Sequence, residues 1–339
     1  MRNVIGSSEE LDAKAASVRR KSPTKEGQRV VGSLSELGRR GAVYFIVLLF
    51  FLLELALPLV VEDKWTLRTI MFANIFVIYA VSYDLLAGYT GLISFGHSLF
   101  FGGAGYVSGL LSLNLGVPLL ASMGVAWAAS LVAALGVGFI CLRLKGPYLA
   151  VVTLVFPLVA ANIVHLSPRY LGGDDGIAGF AQLASGSFYA QFYIVLLVTL
   201  GATLVVLRLA RGDLGLILKT VREDEFGAEA SGVNTTKYKV LVFVISGGFA
   251  GLAGTLFTHI MGSVGPTTLS LHYSILPVIM MSLGGASSIV GAMMGAYVIT
   301  LMDLYLQALP YLRVLIYAAI IIVVLRFFPG GLMAVVRKT

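Results

Sequence analysis

The sequence predicts an all-α, polytopic membrane protein with about 10 transmembrane helices and both termini in the cytoplasm. Composition is the first reason: 58% of the 339 residues are hydrophobic and only 12% are charged. The second reason is that long apolar runs alternate with short polar breaks, and the third is a one-sided distribution of Lys and Arg. Soluble domains average roughly 45–50% apolar and about 25% charged residues, so most of this surface must meet a lipid bilayer.

Ten apolar runs are the candidate spans. A helix needs about 20 residues to cross roughly 30 Å of hydrocarbon, and most of the runs approach that length. The run at 274–285 is too short, so 274–308 is either two full spans or a re-entrant pair, which would lower the count to eight. The predicted spans are 41–61, 67–86, 95–113, 117–141, 147–165, 191–209, 240–261, 274–285, 289–308 and 312–328.

Basic residues predict the orientation of these spans. With the N-terminus inside, only Lys64, Arg68, Arg169 and Arg313 fall outside, and the other 20 of the 24 Lys and Arg fall inside. This asymmetry satisfies the positive-inside rule. Because the basic residues follow the loops, the net charge of +7 indicates membrane orientation and no nucleic-acid partner.

No catalytic motif is present, so we expect no enzyme activity in this chain. The single cysteine, Cys141, excludes a disulfide within the chain, and the 4 histidines have no metal-ligand spacing. Walker A and GxSxG motifs are also absent. We therefore predict no metal and no cofactor, and ATP hydrolysis would require separate subunits.

The run from Gly88 to His97, GYTGLISFGH, makes a poor continuous helix because it carries three glycines among polar residues. Broken backbone at membrane depth survives only where protein or a water-filled cavity satisfies its polar groups. We interpret Gly91, Ser94, Gly96 and His97 as a hinge or as the lining of a path through the membrane. The alternative is a glycine-rich cytoplasmic turn.

Ionisable residues inside spans are functional candidates by default. Glu54 lies well inside the first span and Asp303 lies toward the outer end of the ninth, and neither has a basic residue one helical turn away. Glu54 is the stronger candidate for a path lining. Asp84 and His259 sit near span ends, where we expect water to reach them. No series of acids and histidines follows successive spans, as a proton-coupled carrier would tend to require.

The internal loop 210–239 is the longest on its side of the membrane. From Lys219 onward, four acids stand among four basic residues, and apolar residues recur at helical spacing. This pattern predicts a short amphipathic helix that ends near Gly232. Such a helix could lie on the membrane surface, dock on another protein, or simply present a solvated face. On the predicted outer side of the membrane, the glycine-rich turn 171–177 either contacts an external partner or only connects two helices.

Glycine pairs at GxxxG spacing predict close contacts between helices. Small residues at this spacing let two backbones approach in lipid, where packing replaces the hydrophobic driving force. The pairs are Gly105 with Gly109, Gly247 with Gly251, and Gly291 with Gly295.

Six stretches of the sequence resemble, in the same order, the LivM-type permease of branched-chain amino-acid ABC importers. They cover most of residues 80–335, and the stretch at 220–257 is the most specific. The stretches are YDLLAGYTGLISFGHSLFFGGAGY (83–106), RLKGPYLAVVTLVFP (143–157), GGDDGIAG (172–179), TVREDEFGAEASGVNTTKYKVLVFVISGGFAGLAGTLF (220–257), LGGASSIVGAMMGA (283–296) and RFFPGGL (326–332).

The resemblance implies the permease subunit of an ATP-driven importer of branched-chain or related amino acids, in a bacterial inner membrane. It also implies a second homologous permease subunit, two ATP-binding subunits and a periplasmic substrate-binding protein. Residues 1–40 are then a cytoplasmic tail, 41–328 the permease domain with its coupling loop 210–239, and 329–339 a second cytoplasmic tail. Permeases for urea or short amides share these motifs and are an alternative, as is an ATP-independent secondary transporter.

In such permeases the cytoplasmic loop carries coupling helices that rest in a cleft of the ATPase. We expect the acids to meet basic groups of the ATPase and the aromatic side chain to pack into its cleft. We expect no tight amino-acid site in the membrane, because the spans hold two acids in depth but no Lys or Arg. The coupling residues implied for this chain are Arg222, Glu223, Asp224, Glu225, Phe226, Glu229 and Gly232.

Overall fold

The computed structural model describes residues 25–141 and 147–306, together with 315–316, 319, 322 and 331. Almost every described segment is helical. The helices are α1 (Lys25–Val60), α2 (Lys64–Tyr83), α3 (His97–Asn114), α4 (Leu119–Cys141), α5 (Pro147–His165), α6 (Pro168–Leu171), α7 (Phe188–Arg211), α8 (Asp213–Glu223), α9 (Glu225–Ala230), α10 (Thr235–Met261), α11 (Leu271–Gly284) and α12 (Ile289–Leu306).

Two very short strands also occur among the described residues. β1 (Ile177–Ala178) pairs antiparallel with β2 (Ser263–Val264), which follows α10. Gly176 precedes β1 with a φ of +69°, and a Cβ there would lie 2.2 Å from the Val264 carbonyl oxygen. The glycine-rich turn 171–177 therefore packs against the end of α10, and the predicted all-α class is confirmed apart from this ribbon.

Among the described residues, six helices are long and apolar enough to cross a membrane: α1, α2, α4, α5, α7 and α10. Helices α11 and α12 pass that test only together, and they bend by 119° at their junction, as in a broken span or a re-entrant loop. The chain is thus a multi-pass membrane protein with six such spans, or seven with the bent pair, in its described part. The predicted count of ten and the orientation stay predictions: α3, which corresponds to the predicted span 95–113, is not among these helices, and 312–328 lies almost wholly outside the described residues.

The N-terminal helix starts earlier than the sequence suggests. Helix α1 begins at Lys25, so the second part of the predicted tail is helical, while 1–24 lies outside the described residues. The predicted tail 329–339 is described only at Gly331. Among the described residues, those up to Phe50 form one compact unit and those from Phe51 form another. Every site residue discussed below belongs to the second unit.

Glycine lets α10 pack tightly against α3 and α4. A Cβ at Gly254 would lie 1.9 Å from the carbonyl oxygen of Phe101, and one at Gly247 would lie 2.5 Å from the Ala134 methyl group. Gly251 is enclosed in the same way. The predicted close contact along the Gly247 and Gly251 pair is therefore confirmed, and α10 stands in the interior of the bundle together with α2.

Candidate functional site

The candidate site lies where α8 meets the break after α2. The Arg222 guanidinium, on α8, donates a hydrogen bond to the Gly88 carbonyl and another, of 2.8 Å, to the Ser287 hydroxyl oxygen. The Ser287 hydroxyl donates to the same Gly88 carbonyl at 2.6 Å. One carbonyl thus connects three separate segments: the internal loop, the end of the second span and the junction between α11 and α12.

The local backbone explains why this carbonyl accepts side-chain donors. Helix α2 continues into a π-helical turn, Asp84–Gly88, and the chain leaves the helix at Gly91, whose φ is +75°. Carbonyls in the last turn of a helix lack the usual backbone donors, and a cation there also complements the helix dipole. Gly88 has to be glycine, because a Cβ would lie 2.7 Å from the Ser287 nitrogen.

Asp84 stabilises the junction between α11 and α12. Its side chain is fully buried, and its Oδ1 accepts a hydrogen bond of 2.8 Å from the Ser287 backbone nitrogen. Ser287 has a φ of +60°, which non-glycine residues rarely adopt. The hydrogen bonds to Asp84 and Gly88 hold it there. The expectation that water reaches Asp84 was wrong: it lies at the end of an enclosed helix and serves as an internal acceptor.

The predicted coupling acids mostly have partners within their own chain. Asp224 caps the N-terminus of α9 by accepting from the Gly227 nitrogen at 3.0 Å. Glu225 forms an ion pair of 2.5 Å with Lys239, and Glu229 accepts a hydrogen bond of 2.6 Å from the Thr235 hydroxyl. These contacts fold α9 against the start of α10.

The predicted single amphipathic helix is instead two helices. The chain is extended at Asp224, with φ −149° and ψ 100°, because its carboxylate caps α9 and so starts a new helix. Gly232, with a φ of +86°, follows α9 as predicted. Glu223 and Phe226 are exposed, and the Phe226 side chain is 73% accessible.

The broken segment packs against its neighbours. The Ser94 nitrogen donates to the Tyr83 hydroxyl oxygen at 3.3 Å, and the Phe95 nitrogen donates to the Thr153 hydroxyl oxygen at 3.0 Å. Gly96 is buried, and a Cβ there would lie 2.9 Å from the backbone oxygen of Thr153. The predicted break is confirmed, and protein groups satisfy its backbone.

His97 begins α3 inside an aromatic cluster. Its side chain is fully buried, with the Tyr83 ring edge-on at 4.8 Å and the Phe100 ring at 5.7 Å. The Ser246 hydroxyl donates to the Ser82 carbonyl at 2.7 Å, so His97 Nε2 must be the donor in its 2.8 Å contact with Ser246. The other ring nitrogen has no partner among the described residues. A role for His97 in lining a path stays a prediction.

Glu54 also has neighbours that the sequence did not reveal. It is 4% exposed and shares a hydrogen bond with the Tyr297 hydroxyl, which lies 2.7 Å from the Asn74 side-chain oxygen. The Tyr297 hydroxyl can donate only one hydrogen bond, so either Glu54 or Asn74 must donate a hydrogen bond to the Tyr297 oxygen. Glu54 is therefore part of a polar cluster between α1, α2 and α12. His259, also expected near water, is buried and bonded to Ser108.

Sequence reasoning missed Ser287, Asn74 and Tyr297. The only signal for Ser287 was the Gly- and Ser-rich run at 283–291, which indicates a helix break without naming its partner. For Asn74 and Tyr297 there was no signal, because a single amide or hydroxyl group within an apolar run does not indicate a functional role. Among the described residues, no three His, Cys, Asp or Glu side chains gather to hold a metal ion.

A multi-pass helical bundle with glycine-mediated packing and broken helices fits the class of membrane transport permeases. The chain belongs to the family described as "Branched-chain amino acid transport system / permease component", which matches residues 65–325. The sequence is 25% identical to the high-affinity branched-chain amino acid transport system permease protein LivM of Salmonella typhimurium, over 78% of this chain and 68% of the relative.

Two further relatives are also similar to this chain. The LivM protein of Escherichia coli is also 25% identical, over 86% of this chain and 75% of its own length. An autoinducer 2 import system permease protein, LsrC of Salmonella choleraesuis, is 28% identical over 59% of this chain and 60% of the relative. No solved structure gives a significant match.

Proposed function

We propose that this chain is a membrane-spanning subunit of an ABC importer in a bacterial inner membrane, and that it moves branched-chain or related amino acids. The family match over 65–325 and the two LivM relatives support this substrate class. Its partners would be a second homologous permease subunit, two ATP-binding subunits and a periplasmic substrate-binding protein. Both termini and the loop 210–239 would face the cytoplasm.

The observation that carries the coupling mechanism is the contact of Arg222 with Gly88 and Ser287. Helix α9 and its exposed Phe226 would dock in the ATPase cleft. A shift of α8 and α9 on ATP binding would then act, through Arg222, on two helix breaks at once. We assign the docking contact to Phe226 and Glu223 because both side chains are exposed.

Transport by the reconstituted complex tests this proposal. The chain is purified with its partner subunits, placed in proteoliposomes and supplied with the binding protein. We expect uptake of labelled leucine to require ATP and to be independent of an imposed proton gradient. Uptake driven by the gradient without ATP would support a secondary transporter instead, and ATP-dependent uptake of urea without leucine would contradict the amino-acid assignment.

A further inference from the structure

The face of α8 that meets the break after α2 carries two cations, Lys219 and Arg222. They are three residues apart, so both side chains lie on the same side of the helix. Lys219 Nζ lies 4.9 Å from the centre of the Tyr89 ring, and Arg222 donates a hydrogen bond to the Gly88 carbonyl. Two neighbouring residues at the end of the helix thus receive one cation each.

No carboxylate of the internal loop compensates these two cations. Among the described residues, neither Lys219 nor Arg222 forms an ion pair. Glu225 pairs with Lys239 instead, and Asp224 caps the N-terminus of α9. Neither the Tyr89 ring nor the Gly88 carbonyl carries a net charge, so the compensating charge has to come from the helix bundle.

A buried carboxylate of the bundle lies close to both cations. Asp84 begins the π-helical turn that ends at Gly88, and its side chain is fully buried. Both Lys219 and Arg222 interact electrostatically with this carboxylate. Ser287 lies between the charges, because its hydroxyl oxygen accepts from Arg222 and its backbone nitrogen donates to Asp84 Oδ1 at 2.8 Å.

Burial disfavours the charge of Asp84, and its neighbours offset part of this cost. A carboxylate that is removed from water needs hydrogen bonds or opposite charges around it. The Ser287 nitrogen supplies one hydrogen bond just before α12, where the helix dipole also favours a negative charge. Asp84 Oδ2 has no hydrogen-bond partner among the described residues. A further part of the compensation therefore has to come from the cations of α8.

We propose that Asp84 is a positioning residue for transport: its carboxylate is the counter-charge that holds Lys219 and Arg222, and with them α8, against the break after α2. This inference rests on the proposed function and deepens it, because it names the charge that sets the resting position of the coupling loop. A shift of α8 on ATP binding would move both cations away from a buried carboxylate. The cost of that separation returns α8 to the break after ATP hydrolysis.

The distance between two spin labels tests this role without requiring transport. One label is attached at Thr220→Cys, an exposed position on α8, and the other at Tyr148→Cys, at the exposed start of α5, in a Cys141→Ser background. Double electron–electron resonance is measured on the complete complex in nanodiscs, without nucleotide and with partner subunits that lack reactive cysteines. We expect a narrow distance distribution when Asp84, Lys219 and Arg222 are unchanged.

D84N removes the charge but keeps a side-chain oxygen that can accept from the Ser287 nitrogen. We expect a distribution at least twofold broader, and a similar broadening for K219Q, which changes an exposed side chain. D213N changes an exposed acid on the same helix, so it is the matched control and should keep the narrow distribution. In a K219Q/R222Q background D84N should add no further broadening, because the cations that Asp84 positions are gone.

Leucine uptake by proteoliposomes, with ATP and binding protein, gives a second readout. D84N should lower kcat at least fivefold and leave KM unchanged, because Asp84 acts on α8 and does not contact the substrate. No ATP-dependent uptake by the unmodified complex would contradict the proposed function, whereas the spin-label distances would still decide whether Asp84 holds α8.

Three results would overturn the role of Asp84. The first is an equal width of the distance distribution in D84N and the unmodified protein. The second is an equal kcat for these two proteins. The third is an equal broadening by D84N in the presence and in the absence of the two cations, which is the result expected if Asp84 only caps the start of α12.

Discussion

Arg222 donates a hydrogen bond to the carbonyl of Gly88, across 134 positions of sequence, and so joins the internal loop to the break at the end of the second span. Ser287 donates to the same carbonyl from the junction of α11 and α12. While these hydrogen bonds persist, a movement of α8 must also move the break after α2 or the junction of α11 and α12. The contact is therefore the structural basis of the coupling mechanism proposed above.

Arg222→Ala should reduce substrate-stimulated ATP hydrolysis and transport together, and should lower stability only by the hydrogen bonds that Arg222 makes. Ser287 still satisfies the Gly88 carbonyl in this variant, so no buried acceptor is orphaned. A hydrogen bond to a charged group contributes about 1.5–3 kcal/mol, so we expect about a 10- to 100-fold loss of substrate-stimulated ATPase activity and uptake.

The matched control for this variant is Lys237→Ala, a change of an exposed basic residue in the same loop. Its hydrogen bond to the Asn234 side chain comes from the backbone nitrogen and survives the substitution. Assembly with the ATPase subunits is measured by co-purification for both variants. Full coupling in the Arg222 variant would exclude the proposed route.

Gly254→Ala should disrupt the bundle. The new methyl group would lie 1.9 Å from the Phe101 carbonyl oxygen, so α10 and α3 must separate. Overpacking typically costs about 1–3 kcal/mol, and a backbone clash belongs at the upper end. Gly201→Ala on α7 is the control, because no atom lies within 4 Å of its added methyl group. Thermal unfolding in detergent should show a lower Tm for the first variant and an equal or higher Tm for the second.

Acid should weaken the start of α2 through Asp63. Hydrogen bonds from the Thr66 hydroxyl, the Thr66 nitrogen and the Trp65 nitrogen lower the pKa of this N-cap carboxyl. A lowered pKa in the folded state means that the cap stabilises the protein above the ordinary aspartate pKa of about 3.9 and loses this contribution as the pH falls further.

Asp63→Asn isolates this effect, because asparagine caps a helix without titrating in this range. We expect the Tm of the unmodified protein to fall relative to that of the variant below about pH 4, with a constant difference above about pH 5. Parallel Tm curves across that range would show that the cap contributes no measurable pH dependence.

The orientation of the chain can be tested by thiol labelling in a Cys141→Ser background. Ser231→Cys, in the exposed turn after α9, should react with an impermeant reagent only after the membrane is opened. Ser185→Cys, in the exposed loop before α7, should react in intact cells. Labelling of position 231 from outside would contradict the predicted topology.

The sequence predicted the features that depend on local composition. Apolar runs located most of the membrane helices to within a few residues: 240–261 was predicted where α10 spans Thr235–Met261, and 274–285 where α11 spans Leu271–Gly284. The exception is α1, which begins at Lys25 rather than at position 41. Clustered glycines located the break near Gly91. These features follow from the cost of exposing a backbone to lipid and from the conformational freedom of glycine, and both act over a few residues.

Contacts between distant segments were decided only by the tertiary structure. No pattern in the sequence pairs Arg222 with Gly88, turns Glu225 toward Lys239, or brings Lys219 to the Tyr89 ring. Helical periodicity reports which face of a helix is apolar, but not which helix it meets or at what rotation. In a bundle that is apolar on nearly every face, side-chain packing between helices sets that rotation, and with it the positions of the few charged groups.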